Sequence, residues 1–284
     1  MEHIHPYSYA ERLRRQLQGP WLNPLLKKWV GRGELDYEKY VRTPELLALQ
    51  TPPEERVSDD ELLFQVAHQT QELWLKLLSH ESVEAVSELD RDALWEASAR
   101  LERMLRVARC MSSELGVLET LTPDTYQVIR RSLGNGSGQE SPGYNAVRMA
   151  AEGLEGALER LLQRRGVTLV ALYTGPAVAA DLKRLCEQLV DYDEAFQNWL
   201  YAHFQLVRRT IGVDATVKAL DGLPTRVLSG RMTKPLFPAL WQVRVELTAC
   251  WRREGGYAPG APRGETETAG DTPPAVMASG TGTP

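Results

Sequence analysis

Cysteine is scarce: Cys110, Cys186 and Cys250 are the only three in 284 residues, and no two stand in a Cys-x-x-Cys spacing. That excludes a disulfide framework and a zinc knuckle, and it fits a reducing cytoplasm. An excess of positive charge is missing too. The 33 Lys and Arg against 38 Asp and Glu leave a net charge of −5, and the signs are interspersed, which argues against a nucleic-acid partner. No run approaches the roughly 18 apolar residues of a membrane-spanning helix. Met1 to Gln18 mixes His, Arg and Glu and has no apolar stretch of the secretory-signal kind. The glycine-rich Gly134-Asn-Gly-Ser-Gly138 lacks the Gly-Lys-Ser/Thr ending of a phosphate-binding loop. Internal repeats are absent. The expectation is a soluble cytoplasmic protein without a membrane or nucleic-acid role.

Strand patterning is also nearly absent, with one short strand-like run, Val167 to Tyr173. Helical spacing takes its place. Ser58 and Glu61 form a capping signal ahead of a helix in which Leu63, Val66, Ala67, Thr70, Leu73, Trp74 and Leu77 recur at helical period. A second helix follows Asp90, with Leu94, Ala97, Leu101, Met104 and Ala108 on one side, and Leu-Thr-Pro-Asp at 121–124 breaks it and starts another. A helix is expected from about Tyr144 to Gln163. Leu182, Leu185, Leu189, Phe196, Trp199, His203, Val207 and Ile211 mark a long one. The class is all-α, a helical bundle. From Gly255 the chain is Gly, Pro, Thr, Ala and Glu with few large apolar residues, a composition that predicts a disordered tail over 255–284.

Histidine is sparse as well, and its placement carries the chemistry. Of five histidines, His3 and His5 lie at the terminus and His80 beside Glu81 reads as solvent-facing, leaving His68 and His203 against apolar helical stripes. A heme iron wants one imidazole on a rigid element, its other nitrogen held by a partner. His203 suits this, with Trp199 and Phe196 one and two turns before it. A buried histidine serving only packing is the plainer reading of either site, with Glu72 the expected partner of His68. Tyr126 and Arg130, four apart, present a hydroxyl and a guanidinium on one helical face, suited to a small carboxylate or to a surface stack.

The runs Glu61-Leu-Leu-Phe64-Gln-Val-Ala-His68-Gln-Thr-Gln-Glu72-Leu-Trp-Leu-Lys76, Val117-Leu-Glu-Thr-Leu-Thr-Pro123 with Tyr126 and Arg130, and Phe196-Gln-x-Trp199-x-x-x-His203 together resemble the tryptophan 2,3-dioxygenase family. Leu35-Asp-Tyr37-Glu-Lys-Tyr40-Val41 matches that family's N-terminal segment, and coverage runs in pieces from about 35 to 250. The resemblance implies a heme b enzyme using O2 on an indole amino acid, with heme between helices of a 35–254 oxygenase domain preceded by a 1–34 segment. It implies His203 as the iron ligand, oriented by Trp199, with Phe64 and the catalytic His68 on the distal side. Tyr126 and Arg130 would hold the substrate carboxylate. Ser137 and Gly138 would close over heme and substrate, with Tyr144 beyond. Tyr37, Tyr40 and Val41 would reach into a neighbouring subunit's site, implying a homo-oligomer, usually a tetramer.

The chain departs from the family pattern in three places. The Tyr144–His203 stretch is shorter, Gln139-Glu140 replaces Phe-Gln, and Asn145 replaces Arg. The loop after the proximal helix, Gly-Thr-Gly-Gly-Ser-Ser-Gly in the family, becomes Leu223-Pro-Thr-Arg-Val-Leu-Ser229-Gly-Arg231. That version resembles a specialised-metabolism branch whose maremycin-pathway member mono-oxygenates a β-methyltryptophan to a 2-oxindole. Ser229 is the candidate for the substrate ammonium and Arg231 for the heme edge. The altered loop and shortened cover tip the expectation towards one-oxygen transfer with an external reductant, over two-oxygen transfer to N-formylkynurenine. A non-catalytic heme sensor and a cofactor-free bundle are the readings from other classes.

Overall fold

Apolar residues at helical period become helices almost throughout the computed structural model, which describes residues 9–13, 35–136, 138–175, 179–226, 230 and 234–250. The 255–284 tail and nearly all of 1–34 lie outside the described residues. Among those described, every regular element is helical, apart from an isolated bridge between Lys218 and Pro224. No described helix is long and apolar enough to cross a membrane.

The chain divides between Leu62 and Leu63 into two compact units. The first carries α1 (Asp36–Val41) and α2 (Thr43–Leu46), joined at Arg42, whose φ of 58° is left-handed. Pro44 sits in the first turn of α2, where its missing N–H costs nothing. The capping signal at 58–61 is realised one residue off. Ser58 Oγ accepts from the Asp60 amide, and the Glu61 carboxylate reaches back to the amide of Val57 at 2.8 Å.

The second unit is the bundle. Its helices are α3 (Glu61–Asp90, which begins at the boundary), α4 (Leu94–Leu118), α5 (Pro123–Ser132), α6 (Pro142–Arg165), α7 (Leu169–Thr174), α8 (Ala180–Thr210) and α9 (Pro238–Cys250). Leu101, Met104, Ala108 and Met111 on α4 face Leu182, Leu185, Leu189 and Phe196 on α8 in one continuous core. Fully burying a leucine of this kind contributes about 2–3 kcal/mol of transfer free energy. The α3–α4 pair is antiparallel, because Gln71 bonds Glu114 while Glu81 and Glu88 bond Arg100. The turn between them needs a left-handed residue, and Asp92 (φ 61°) supplies it.

The strand-like run 167–173 is not a strand. Thr168 caps α7 by accepting from the Ala171 amide at 3.2 Å, and Leu172 buries. A lone apolar run has no ladder partner here, so intrahelical bonding takes its backbone groups.

A carboxylate holds the last helix. Asp193 of α8, fully buried, accepts from the backbone amides of Leu236 (3.0 Å) and Phe237 (3.1 Å) and from the indole of Trp241 (2.8 Å). Glu155 of α6 accepts from the Ala239 amide. Two anions thus meet the orphan amides at the start of α9, where the helix dipole favours them.

Candidate functional site

A cavity of about 410 Å³ opens among α3, α5, α8 and the loop after α8. Phe64, His68, Tyr126, Arg130, Trp199 and His203 all line it. Its walls are otherwise mainly leucines and other apolar side chains, including Leu75, Leu115 and Leu118. Volume and lining suit an organic ligand with few polar contacts.

His203 stands on the cavity face of α8, and neither ring nitrogen makes a hydrogen bond among the described residues. The partner expected for its second nitrogen is therefore not found there. Burial pushes the imidazole down to about 4, and the neighbouring His68 adds to this. A neutral imidazole with an available lone pair is the ligating form. Gly138 lies against the ring, and a Cβ at that position would come 3.6 Å from Nε2. The Trp199 indole, one turn earlier, packs on Phe196 with centroids 5.2 Å apart, while Tyr144 stacks on Phe196 at 6.2 Å.

His68 faces the same cavity from α3. Its Nδ1 lies 2.7 Å from the Phe64 carbonyl oxygen. A carbonyl can only accept, so Nδ1 carries the proton and Nε2 of the neutral ring keeps its lone pair. The cavity walls desolvate the ring and lower its pKa below the ordinary histidine value, opposed by the Phe64 carbonyl and by the Glu72 charge. Glu72, the partner a packing histidine would take, is used elsewhere. It accepts from the Ser141 hydroxyl and from the Gly143 amide at 3.0 Å.

Tyr126 and Arg130 follow Pro123 on α5, which Thr122 caps by accepting from the Thr125 amide. Burial raises the Tyr126 phenol and keeps it protonated. The Phe64 and Tyr126 rings lie 6.0 Å apart. Arg130 donates from Nη2 to the Lys218 carbonyl at 2.7 Å, tying α5 to the loop that carries Ala219 and Leu220 into the cavity wall. That loop is pinned internally by buried Thr225, which accepts from the Asp214 amide.

Tyr37, Tyr40 and Val41 lie on α1 with exposed side chains, Tyr40 being 91% exposed. Ser137, Ser229 and Arg231 lie outside the described residues. His80 is exposed, as expected.

Sequence reasoning missed Gln71, Ser141, Ala219 and Leu220 as site components. Helical period from His68 was a usable signal for Gln71, Glu72 and Leu75. Nothing local marks Ala219 or Leu220.

The residues present fit a heme. An imidazole without a hydrogen-bond partner among the described residues faces a largely apolar cavity, and a glycine beside Nε2 holds open the space that a side chain would fill. The donors facing the cavity are the neutral imidazoles of His203 and His68, with no cluster of three or more His, Cys, Asp or Glu able to hold a bare metal ion among the described residues.

Comparison with known proteins gives one family. A family model described as tryptophan 2,3-dioxygenase matches residues 27–151. The tryptophan 2,3-dioxygenase of Saccharopolyspora erythraea is 34% identical over 76% of this chain and 94% of its own length. That of Xanthomonas euvesicatoria pv. vesicatoria is 32% identical over 82% of this chain and 94% of its own. That of Kineococcus radiotolerans is 33% identical over 75% and 92%.

Proposed function

Because the chain belongs to the tryptophan 2,3-dioxygenase family, we propose that it inserts both atoms of O2 across the indole C2–C3 bond of L-tryptophan, giving N-formylkynurenine. Substrate and O2 account for every atom and electron of that product, so no external reductant is consumed. The observation that carries the reading is the pair His68 and His203, on two helices facing one cavity that also holds Arg130.

Heme b, when bound, supplies the activation of O2, with His203 as the iron ligand and Trp199, Tyr144 and Gly138 beside it. The chain's own residues do the rest. The Nε2 lone pair of His68 accepts the indole N–H, and Phe64 lies against the His68 ring. Arg130 and Tyr126 take the carboxylate, a charge-assisted fork with a supporting hydroxyl. The leucine walls exclude water and strengthen these contacts. Tyr37, Tyr40 and Val41 of one copy complete the site of another in a homotetramer. For Ser137 and Arg231 we keep the heme-binding role, and for Ser229 the ammonium-binding role, that the family resemblance implies, within an oxygenase domain of 35–254 that we assign to the cytoplasm.

A second reading transfers one oxygen atom to leave a 2-oxindole on tryptophan or a β-substituted tryptophan, with an external reductant taking the other, as in the specialised-metabolism branch. Its support is the altered loop at 223–231, which follows Ala219 and Leu220 of the cavity wall in the chain. The relatives' names favour two-oxygen transfer.

The test is anaerobic reduction of the hemin-loaded protein, then O2 and each indole amino acid, with product mass as readout. A gain of two oxygens from tryptophan without added reductant is expected. A gain of one, dependent on reductant, would select the second reading. Loading without turnover would leave a heme sensor, and a protein that takes no hemin would be a bundle of another kind.

A further inference from the structure

The two helices that carry the histidines are cross-linked one turn away from each of them. On α3, Gln71 follows His68 by three residues; on α8, Trp199 precedes His203 by four. The Trp199 indole N–H donates to Gln71 Oε1 at 2.8 Å, and both side chains are buried. The orientation of the Gln71 amide is fixed by chemistry. Its Nε2 donates to the Glu114 carboxylate at 3.1 Å and to the Met111 carbonyl at 3.3 Å, neither of which can donate, while an indole cannot accept. Glu114 is held in turn by the Trp74 indole N–H (3.0 Å) and the Cys110 thiol (3.3 Å). A polarised chain therefore runs from a carboxylate on α4, through an amide on α3, to an indole on α8 beside the candidate iron ligand.

The geometry points to Gln71 as a positioning residue. Through Trp199 it fixes His203 opposite His68, and it directs its own amide oxygen, made more negative by the Glu114 carboxylate behind it, towards the cofactor side of the cavity. This inference rests on the heme reading proposed above. The physical case has two parts. In the antiparallel register that opposes residue 71 to residue 199, residues 68 and 203 also face each other, so one buried bond sets the gap between the two rings. A hydrogen-bond chain ending in an anion is stronger at low dielectric than its isolated links. Negative polarity near an iron site also favours the more positive ferric state, which lowers the reduction potential. Met at position 71 keeps the length of Gln but leaves the indole N–H without an acceptor. The exchange Q71E/E114Q keeps a donor–acceptor pair between the two positions and an acceptor for each indole, while moving the charge next to Trp199.

The experiment uses the full chain, with and without hemin. In the hemin-free protein labelled with ¹⁵N-tryptophan, the Trp199 indole resonance is assigned through Trp199→Phe. It is expected to move upfield and exchange faster in Q71M, and to stay downfield in Q71E/E114Q. In the hemin-loaded protein the potential is expected to rise in Q71M and fall in Q71E/E114Q, and hemin affinity to drop at least about tenfold in Q71M, the consequence of a lost buried hydrogen bond. A purely structural network would lower stability in Q71M and leave the potential of both variants at the wild-type value. That result, or an unmoved Trp199 resonance in Q71M, would overturn the assignment. Wild-type protein that takes no hemin would remove the heme reading together with this role. Wild-type protein that takes hemin, at a potential indifferent to both variants, would remove this role alone.

Discussion

His68 gives its Nδ1 proton to the carbonyl of Phe64, one turn back, and the two rings lie 4.1 Å apart, centroid to centroid. The bond selects the tautomer and the close, tilted Phe64 ring limits rotation, so the Nε2 lone pair is aimed before substrate arrives. His68→Ala removes the acceptor and leaves His203 untouched. Hemin should still bind with a normal Soret band, while kcat falls by about 100-fold or more, the usual worth of a placed acid–base group. Only the neutral ring accepts, and desolvation depresses its pKa, so the acid limb of kcat/KM should be displaced to lower pH than that of an ordinary histidine. The acid limb should vanish in His68→Ala. A limb that persists in the variant would assign it to another group.

Arg130 reaches the Lys218 carbonyl at 2.7 Å from α5 while lining the cavity, so one guanidinium serves both the loop and the ligand site. Arg130→Lys keeps the charge and loses the planar fork. KM for tryptophan should rise by about 10- to 100-fold, the range of a charge-assisted hydrogen bond of about 1.5–3 kcal/mol. Tryptamine, which lacks the carboxylate, is the control. Its KM should scarcely change, and an equal rise for both compounds would mean that Arg130 holds only the loop.

Much of this arrangement was legible in the sequence because helices repeat. The spacing of Phe64, His68 and Glu72, and of Phe196, Trp199 and His203, fixes which side chains share a face, and the structure brings both faces to one cavity. The bounds of α6 and α8 follow from signals readable in order: Pro142 and Gly166 at the two ends of α6, and the apolar spine of α8. Pairings across the chain were not legible. Glu72 was the natural partner for His68 by spacing, yet Ser141 and Gly143 take it, because α6 starts against α3 and two donors there need an acceptor. Val167 to Tyr173 has strand composition but no neighbouring strand among the described residues. Ala219 and Leu220 line the cavity beside Lys218, whose carbonyl Arg130 holds, a pairing that no local pattern announces.

Gly143 shows how tightly α6 is seated. A Cβ there would stand 2.6 Å from both Glu72 Oε2 and Leu75 Cβ, and the second of these cannot swing away. Gly143→Ala should therefore push the start of α6 off α3 and cost about 1–3 kcal/mol, as overpacking does. Gly153, further along the same helix, meets only Val86 Cγ2 at 3.7 Å. Gly153→Ala should instead stabilise by about 0.5–1 kcal/mol through helix propensity alone. Denaturant midpoints of the two variants should move in opposite directions, and movement in the same direction would refute the close approach at 143.

Asp193 should prove the most sensitive position outside the cavity. Its Oδ2 accepts three donors from the 236–241 stretch, and Oδ1 accepts from Gln197 one turn on. Asp193→Ala leaves two backbone amides and an indole N–H facing an apolar gap, and breaking a buried charged network of this kind costs about 3–5 kcal/mol. Asp193→Asn keeps an acceptor and loses the charge, so it should lie between the alanine variant and wild type. Because the bonds converge on the start of α9, the loss should be local before it is global. Hydrogen exchange at 236–250 should accelerate in Asp193→Ala while the α3–α4 pair keeps its protection. Uniform acceleration across both regions would show that α9 unfolds only with the bundle, and that Asp193 stabilises the whole unit rather than one docked helix.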